Sequence, residues 1–102
     1  MTDLIQHHRE QINRLCRQYK VRRLEVFGSA AGAGFEPKHS DVDFLVEFLP
    51  LGENEHADMY FGLLESLESL LGRPVDLVMA AALSNPYFIQ AIAESRTELY
   101  AA

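Results

Sequence analysis

The chain has 102 residues, of which 48% are hydrophobic and 24% are charged. This length fits a single domain over residues 1–102, and the composition is that of an ordinary soluble globular protein. Fifteen acidic residues outnumber nine Lys and Arg, giving a formal net charge of −6, so we expect no extended nucleic-acid footprint, which needs a basic surface. No apolar run is long enough to span a bilayer and no signal segment is recognisable, so we expect no membrane contact.

The single cysteine, Cys16, rules out an intramolecular disulfide. This agrees with a reducing compartment, and we predict a cytoplasmic protein. Because Cys16 lies within an amphipathic helical pattern, it is interpreted as a core thiol rather than a nucleophile.

The first half of the chain predicts one helix followed by two strands. Apolar residues recur at helical spacing over residues 3–19. Arg22–Phe27 is predicted to be the first strand and Asp41–Leu49 the second. Between them, residues 29–34 have room for one short helical turn, which its glycines weaken.

The second half predicts a helix, a strand and a further helix. The long apolar pattern of His56–Leu71 ends at a glycine, as helices commonly do. Pro74–Met79 follows as a third strand, and Asn85-Pro86 is a typical helix opening. Residues 97–102 fit either a last strand or a helix tail. This order predicts an α+β, two-layer fold in which helices pack on a small mixed β-sheet.

A local basic group lies near the end of the first predicted helix. Its members are Arg14, Arg17, Lys20, Arg22 and Arg23. We interpret the group as a solvated helix face whose cations complement the helix C-terminus; contact with a partner is the alternative.

The second strand opens with two aspartates, Asp41 and Asp43. Side chains two positions apart on a strand share a face, so both carboxylates point away from an apolar row formed by Val42, Phe44, Val46 and Phe48. Paired carboxylates repel each other unless a cation or proton lies between them, and Mg²⁺ is the usual cation when the ligand is a phosphate. Upstream, Gly28-Ser29 suits a phosphate, because glycine lets the backbone approach and the serine hydroxyl donates. Together these residues predict nucleotide chemistry.

Gly28-Ser29 followed by Asp41-x-Asp43 resembles the signature of the nucleotidyltransferase fold in the DNA polymerase β superfamily. The surrounding chain most resembles the smallest members of that superfamily, the minimal nucleotidyltransferases, which include the MNT-type antitoxins. The resemblance extends over about residues 23–78 and implies the nucleotidyltransferase fold.

The resemblance also implies a role for each site residue. Asp41 and Asp43 would ligate Mg²⁺ carrying ATP, and Asp76 would complete a second metal site and help deprotonate the acceptor hydroxyl. Gly28 and Ser29 would position the β- and γ-phosphates. For Asp76 alone, an aspartate that merely solvates the sheet edge is the rival interpretation.

Two features depart from the family pattern. Eleven residues, 30–40, separate Ser29 from Asp41, one more than the common family spacing. An arginine that often follows the serine is replaced by Gly32 or Ala33, and losing such a charge-assisted contact costs about 1.5–3 kcal/mol. We therefore predict a competent metal site with a weakened grip on the triphosphate.

Minimal nucleotidyltransferases commonly work beside a HEPN-type ribonuclease toxin, and some transfer AMP to a tyrosine of that toxin. The resemblance thus implies an antitoxin with ATP as donor and a hydroxyl of a HEPN-type partner as acceptor. The alternative is a catalytically weak module that neutralises its partner by contact. Tyr87, Phe88 and Tyr100 are candidates for a homodimer or partner surface, and core packing explains them equally well.

Overall fold

The structure is a computed structural model that describes residues 3–27, 41–80, 84–93 and 96–102. Its elements are, in chain order, α1 (Asp3–His7), α2 (Arg9–Gln18), β1 (Val21–Phe27), β2 (Val42–Phe48), α3 (His56–Leu71), β3 (Val75–Met79), α4 (Pro86–Ile92) and β4 (Thr97–Ala101). The strands form one sheet in the order β3-β2-β1-β4. Strand β1 is antiparallel to β2 and β4, whereas β2 and β3 are parallel. The predicted α+β class with a small mixed sheet is confirmed.

Most predicted elements are found within one or two residues of their expected bounds. Helix α3 matches its prediction, and the ambiguous C-terminal segment is a strand. The helix predicted over 3–19 is instead two helices, because His8 leaves helical geometry with φ −107° and ψ 13°; its Nδ1 forms a hydrogen bond of 2.9 Å with the Leu4 carbonyl. The short turn expected at 29–34 lies outside the described residues. Within the described ranges, no helix is long and apolar enough to cross a membrane.

One face of the sheet is buried beneath helices α2 and α3. The apolar row predicted for β2 lies on this face, with Phe44 fully buried at its centre. Leu24 and Val26 of β1 stand beside it, opposite Val46 and Phe44. The helices contribute further buried residues to the same cluster, namely Ile12, Cys16, Leu63, Leu67 and Leu71. Side chains at alternate positions of the strands must therefore point to the other face of the sheet.

Cys16 is fully buried within this cluster. Burial raises the pKa of its thiol to about 12. Because the thiolate is the reactive form, the thiol is inert at neutral pH, and the interpretation of Cys16 as a core residue is confirmed.

The junction between α3 and β3 fixes how β3 sits against β2. Gly72 ends the helix in the left-handed conformation with φ 69°, where a side chain would be strained. The Glu68 carboxylate accepts a hydrogen bond of 3.1 Å from the Val75 N–H. The Val42 N–H in turn donates to the Pro74 carbonyl at 3.2 Å. These contacts set the register that brings Asp76 beside β2.

The basic group near the end of α2 does not form one helix face. Arg14 and Arg17 are exposed on the helix, as predicted, but α2 ends at Gln18 and the remaining three residues lie beyond it. Their ion pairs are Lys20–Glu55 at 2.6 Å, Arg22–Glu47 at 3.6 Å, and Arg23 with Glu25 at 3.2 Å and Glu98 at 3.3 Å. The helix-face interpretation was therefore wrong for these three residues, which lie in the α2–β1 turn and on β1.

The aromatic residues near the C-terminus have different surroundings. Tyr87 is 82% exposed at the start of α4, where its N–H donates to the Asn85 side-chain oxygen at 2.9 Å, which confirms the predicted helix opening. Tyr100 is partly buried against the main core. The side chain of Phe88 lies outside the description. A homodimer or partner surface in this region stays a prediction, with which the exposure of Tyr87 agrees.

Replacing Gly62 with alanine is expected to destabilise the protein, although alanine raises helix propensity by about 1 kcal/mol. The added Cβ would lie 2.5 Å from Cε1 of Tyr19, whose hydroxyl is hydrogen-bonded to Ser66 at 3.1 Å. Overpacking typically costs about 1–3 kcal/mol, so we expect urea denaturation to give a lower free energy of unfolding. The same substitution in a Tyr19→Ala background should not be harmful; equal or higher stability in the wild-type background would contradict this prediction.

Candidate active site

Three carboxylates lie at one end of β2 and β3, on the face away from the helices. Asp43 and Asp76 are directly opposite each other in the parallel pair of strands, so their side chains share a face. Asp41 lies two positions before Asp43, just ahead of β2. Asp43 is half-buried, whereas Asp41 and Asp76 are exposed. The structure thus brings these three residues to one edge of the sheet, as the hypothesis requires.

The electrostatics of Asp43 reflect this crowding. Burial raises the pKa of Asp43, and the negative charges of Asp76 and Asp41 raise it further. Both causes disfavour the ionised carboxylate. Among the residues that the structure describes, the influences that shift the pKa of Asp43 therefore all oppose its negative charge.

The three aspartates offer oxygen donors for a divalent metal. Across the described part of the chain, no group of three or more His, Cys, Asp or Glu is already gathered closely enough to hold a metal ion. The chemistry of the donors is nevertheless suitable, since carboxylate oxygens are the ligands that Mg²⁺ prefers, and a cation would offset the repulsion of Asp43 by Asp76 and Asp41.

The predicted phosphate residues, Gly28 and Ser29, lie outside the described residues, as do Gly32, Ala33 and the rest of the segment 28–40. The residue before them is described, however. Phe27 ends β1 directly opposite Asp43. In the sequence, Gly28-Ser29 therefore begins immediately after the strand position that faces the carboxylates.

A buried ion pair on the same face of the sheet was missed by the sequence analysis. Glu25 is only 5% exposed; Arg96 donates to it through Nε at 2.9 Å and Nη2 at 2.7 Å. The hydrogen bond from Arg96 lowers the pKa of Glu25. The sequence did contain one signal for this pair, an acidic residue within the apolar end of a strand. It gave no indication of the partner, which lies 71 positions away.

Replacing Glu25 with glutamine should remove a pH-dependent part of the stability. Because the folded-state pKa of Glu25 is lowered from 4.5, its contribution is complete above that value and is lost as the pH falls through the lowered pKa. At pH 7 we expect a loss of about 1.5–3 kcal/mol in the free energy of unfolding, measured by urea denaturation.

The difference in the free energy of unfolding between the wild type and Glu25→Gln should become smaller when urea denaturation is repeated at pH values down to 3. Glu47→Gln is the matched control, because Glu47 is exposed and its ion pair is with Arg22 at the surface, where ion pairs contribute little. A difference that is constant with pH would contradict the assignment to the Glu25 carboxylate.

The fold and its carboxylates are similar to those of known proteins. The family described as "Nucleotidyltransferase domain" matches residues 8–99, and the chain belongs to this family. Two proteins of Methanocaldococcus jannaschii that carry the name protein adenylyltransferase are similar in sequence. One is 39% identical over 79 residues, covering 76% of this chain and 75% of the relative; the other is 36% identical over 92 residues, covering 90% and 87%.

Solved structures share the fold. A structure described as a minimal nucleotidyltransferase superposes with a TM-score of 0.73 at 32% identity, covering 94% of this chain and 95% of the other. The MNT antitoxin–HEPN toxin complex of Shewanella oneidensis gives a TM-score of 0.64 at 22% identity, covering 95% of this chain and 72% of the matched one. The chain is thus a nucleotidyltransferase with the minimal nucleotidyltransferase fold, as the resemblance implied.

Proposed function

We propose that this protein transfers AMP from ATP, in the presence of Mg²⁺, to a hydroxyl of a HEPN-type partner protein, and that it acts as the antitoxin of that partner. The observation that carries the proposal is the placement of Asp43 opposite Asp76, with Asp41 two positions away, in a chain of the nucleotidyltransferase family. The names of the archaeal relatives support protein adenylylation.

The structural relatives support the donor and the partner. One structure contains a tri-AMPylated HEPN toxin in complex with an MNT antitoxin, and another is a toxin–antitoxin complex with AMP-PNP. These ligands and assemblies belong to those proteins. For this chain they make ATP and a HEPN-type partner the first donor and acceptor to test.

In this proposal each candidate residue has one task. Asp41, Asp43 and Asp76 would hold the metal-bound nucleotide, and Gly28 and Ser29 would orient its β- and γ-phosphates. When bound, Mg²⁺ supplies neutralisation of the phosphate charge. Asp76, as the exposed carboxylate on the neighbouring strand, would take up the proton of the acceptor hydroxyl.

The proposed reaction balances without a further co-reactant. The acceptor oxygen forms a bond to the α-phosphorus of ATP, and the bond from that phosphorus to the oxygen bridging to the β-phosphate breaks. Pyrophosphate leaves with the electron pair, and the acceptor proton passes to a carboxylate and then to solvent. Positioning and charge neutralisation would provide most of the acceleration.

The direct test uses ATP labelled at the α-phosphate, MgCl₂ and a HEPN-type protein from the same organism. Label should appear on the partner protein with the wild type and not with Asp43→Ala. Absence of label with the wild type, under conditions in which ATP and the partner are both shown to bind, would overturn the proposal.

The second candidate function is a binding module that neutralises its partner by contact. It is favoured by the loss of the family's arginine, whose place is taken by Gly32 or Ala33. A partner complex that forms equally well with wild type and Asp43→Ala, together with no transfer of label, would select this alternative.

A further inference from the structure

We propose that Tyr60 and Glu68 of helix α3 are positioning residues for Asp76, because they hold the outer edge of β3 on both sides of that aspartate. The Glu68 carboxylate accepts a hydrogen bond of 3.1 Å from the Val75 N–H. The Tyr60 hydroxyl donates a hydrogen bond of 2.5 Å to the Leu77 carbonyl. This inference rests on the proposed role of Asp76 as a metal ligand and adds what keeps its carboxylate in place.

Strand β3 is an outer strand of the described sheet, with β2 on one side only. The Pro74 carbonyl faces β2, since it accepts a hydrogen bond from the Val42 N–H. Backbone groups of successive residues in a strand point to opposite edges, so those of Val75 and Leu77 point away from β2. An edge strand presents such a row unpaired unless a helix or loop covers it. Here α3 provides a partner for one N–H and one C=O of the row.

Asp76 has to be held because its neighbour repels it. It lies directly opposite Asp43, and like charges at opposite positions of paired strands are destabilising. Rotation of β3 about its own axis would relieve the repulsion by turning Asp76 away from the site. A strand that is bonded along both edges cannot rotate in this way without breaking hydrogen bonds. The contacts from α3 therefore oppose the movement that the two charges favour.

The apolar side chains of β3 also hold the strand, and the hydroxyl of Tyr60 can be tested separately from them. Leu77 is buried, and Val75 packs against the main core, on the face opposite Asp76. The ring of Tyr60 packs against the same core. Tyr60→Phe removes only the hydroxyl group and keeps this apolar packing, so its effect isolates the hydrogen bond to Leu77.

The test measures the binding of Mn²⁺, used as a probe of the metal site, together with amide hydrogen exchange in β3. We expect Tyr60→Phe to weaken Mn²⁺ binding by about tenfold, the lower end of what removing an outer hydrogen-bond partner of a metal ligand costs. Glu68→Ala should weaken it similarly and should also speed the exchange of the Val75 N–H. Glu68→Gln keeps an acceptor oxygen and should restore most of both losses. In each variant, kcat for AMP transfer should follow the affinity for Mn²⁺.

Tyr19→Phe is the matched control for Tyr60→Phe. It removes a hydroxyl whose hydrogen bond, of 3.1 Å, is with Ser66 of α3 rather than with β3. Thermal unfolding of the two variants should show similar small losses of stability, whereas Tyr19→Phe should bind Mn²⁺ as the wild type does. Equal weakening of Mn²⁺ binding in both variants, or no weakening in Tyr60→Phe, would overturn the inference.

A failure of the proposed function would look different. Mn²⁺ binding and amide exchange are measured without ATP or a partner protein, so they decide the inference even if the wild type transfers no AMP. Asp76→Asn is the reference for a lost ligand and should weaken Mn²⁺ binding at least as much as Tyr60→Phe. Equal Mn²⁺ binding by the wild type and Asp76→Asn would overturn the inference, because β3 would then hold no metal ligand.

Discussion

Replacing Asp43 with asparagine is expected to reduce AMP transfer by about 10³-fold or more while leaving the protein at least as stable as the wild type. Asp43 lies two positions after Asp41 in the sequence and directly opposite Asp76 on the neighbouring strand. Removing its charge should weaken the hold on a metal-bound nucleotide, and charge stabilisation of this kind is worth several kcal/mol in the transition state, where each 1.4 kcal/mol corresponds to about tenfold in rate.

The stability of Asp43→Asn should change in the opposite direction from its activity. The pKa of Asp43 is raised by burial and by two neighbouring negative charges, so at neutral pH its ionised form opposes folding. Thermal unfolding without divalent cations should therefore give an unchanged or higher Tm. Loss of activity together with loss of stability would point to misfolding rather than to a missing ligand.

Glu65→Gln is the control for Asp43→Asn. Glu65 is exposed on α3, in the helical layer on the other side of the sheet, so the substitution removes one negative charge far from the carboxylates. Transfer should stay within about twofold of the wild type, since surface substitutions are usually almost neutral. A comparable loss in both variants would indicate a general effect of net charge.

Replacing Phe44 with alanine should have the largest effect on stability. Phe44 is fully buried in β2, within the main core, and removing a buried phenylalanine ring typically costs about 3–5 kcal/mol. Domains of this size have about 5–15 kcal/mol in total, so we expect a large drop in the urea midpoint and a partly unfolded population at 37 °C.

Phe61→Ala provides the matched comparison, because Phe61 is 57% exposed on α3. The same ring is removed there from a position that is largely exposed to solvent in the folded as well as in the unfolded chain. The midpoint of urea denaturation should therefore hardly change. Similar losses of stability for the two variants would contradict this prediction, because they would mean that Phe61 contributes to the core as much as Phe44 does.

Local sequence patterns were sufficient to predict an element and the orientation of its side chains where one face of that element is buried. The alternation of β2 predicted both the buried Phe44 and the outward Asp43, because a strand with one apolar face has only one stable orientation. The helical pattern of α3, closed by Gly72, predicted that element with its bounds. The carboxylates of Asp41 and Asp43 were accessible to prediction for the same reason.

Features that depend on pairing between distant segments were not accessible in this way. The facing of Asp76 and Asp43 depends on the register between β3 and β2, which neither strand specifies alone. The last segment is a strand because it pairs with β1. Its sequence does not show this, since five residues are too few to distinguish the periodicity of a strand from that of a helix. The Glu25–Arg96 pair combines residues from these same two regions.

The connection between α3 and β3, residues 72–74, has a length that determines whether Asp76 reaches the candidate active site. The Glu68 carboxylate and the Pro74 carbonyl anchor both sides of this connection. One inserted residue that displaced β3 by a single step would turn Asp76 towards the helices and Val75 or Leu77 towards solvent. Composition and net charge would barely change, yet the second carboxylate would leave the site. Chain length at this joint is therefore as restricted as the identity of the aspartates themselves.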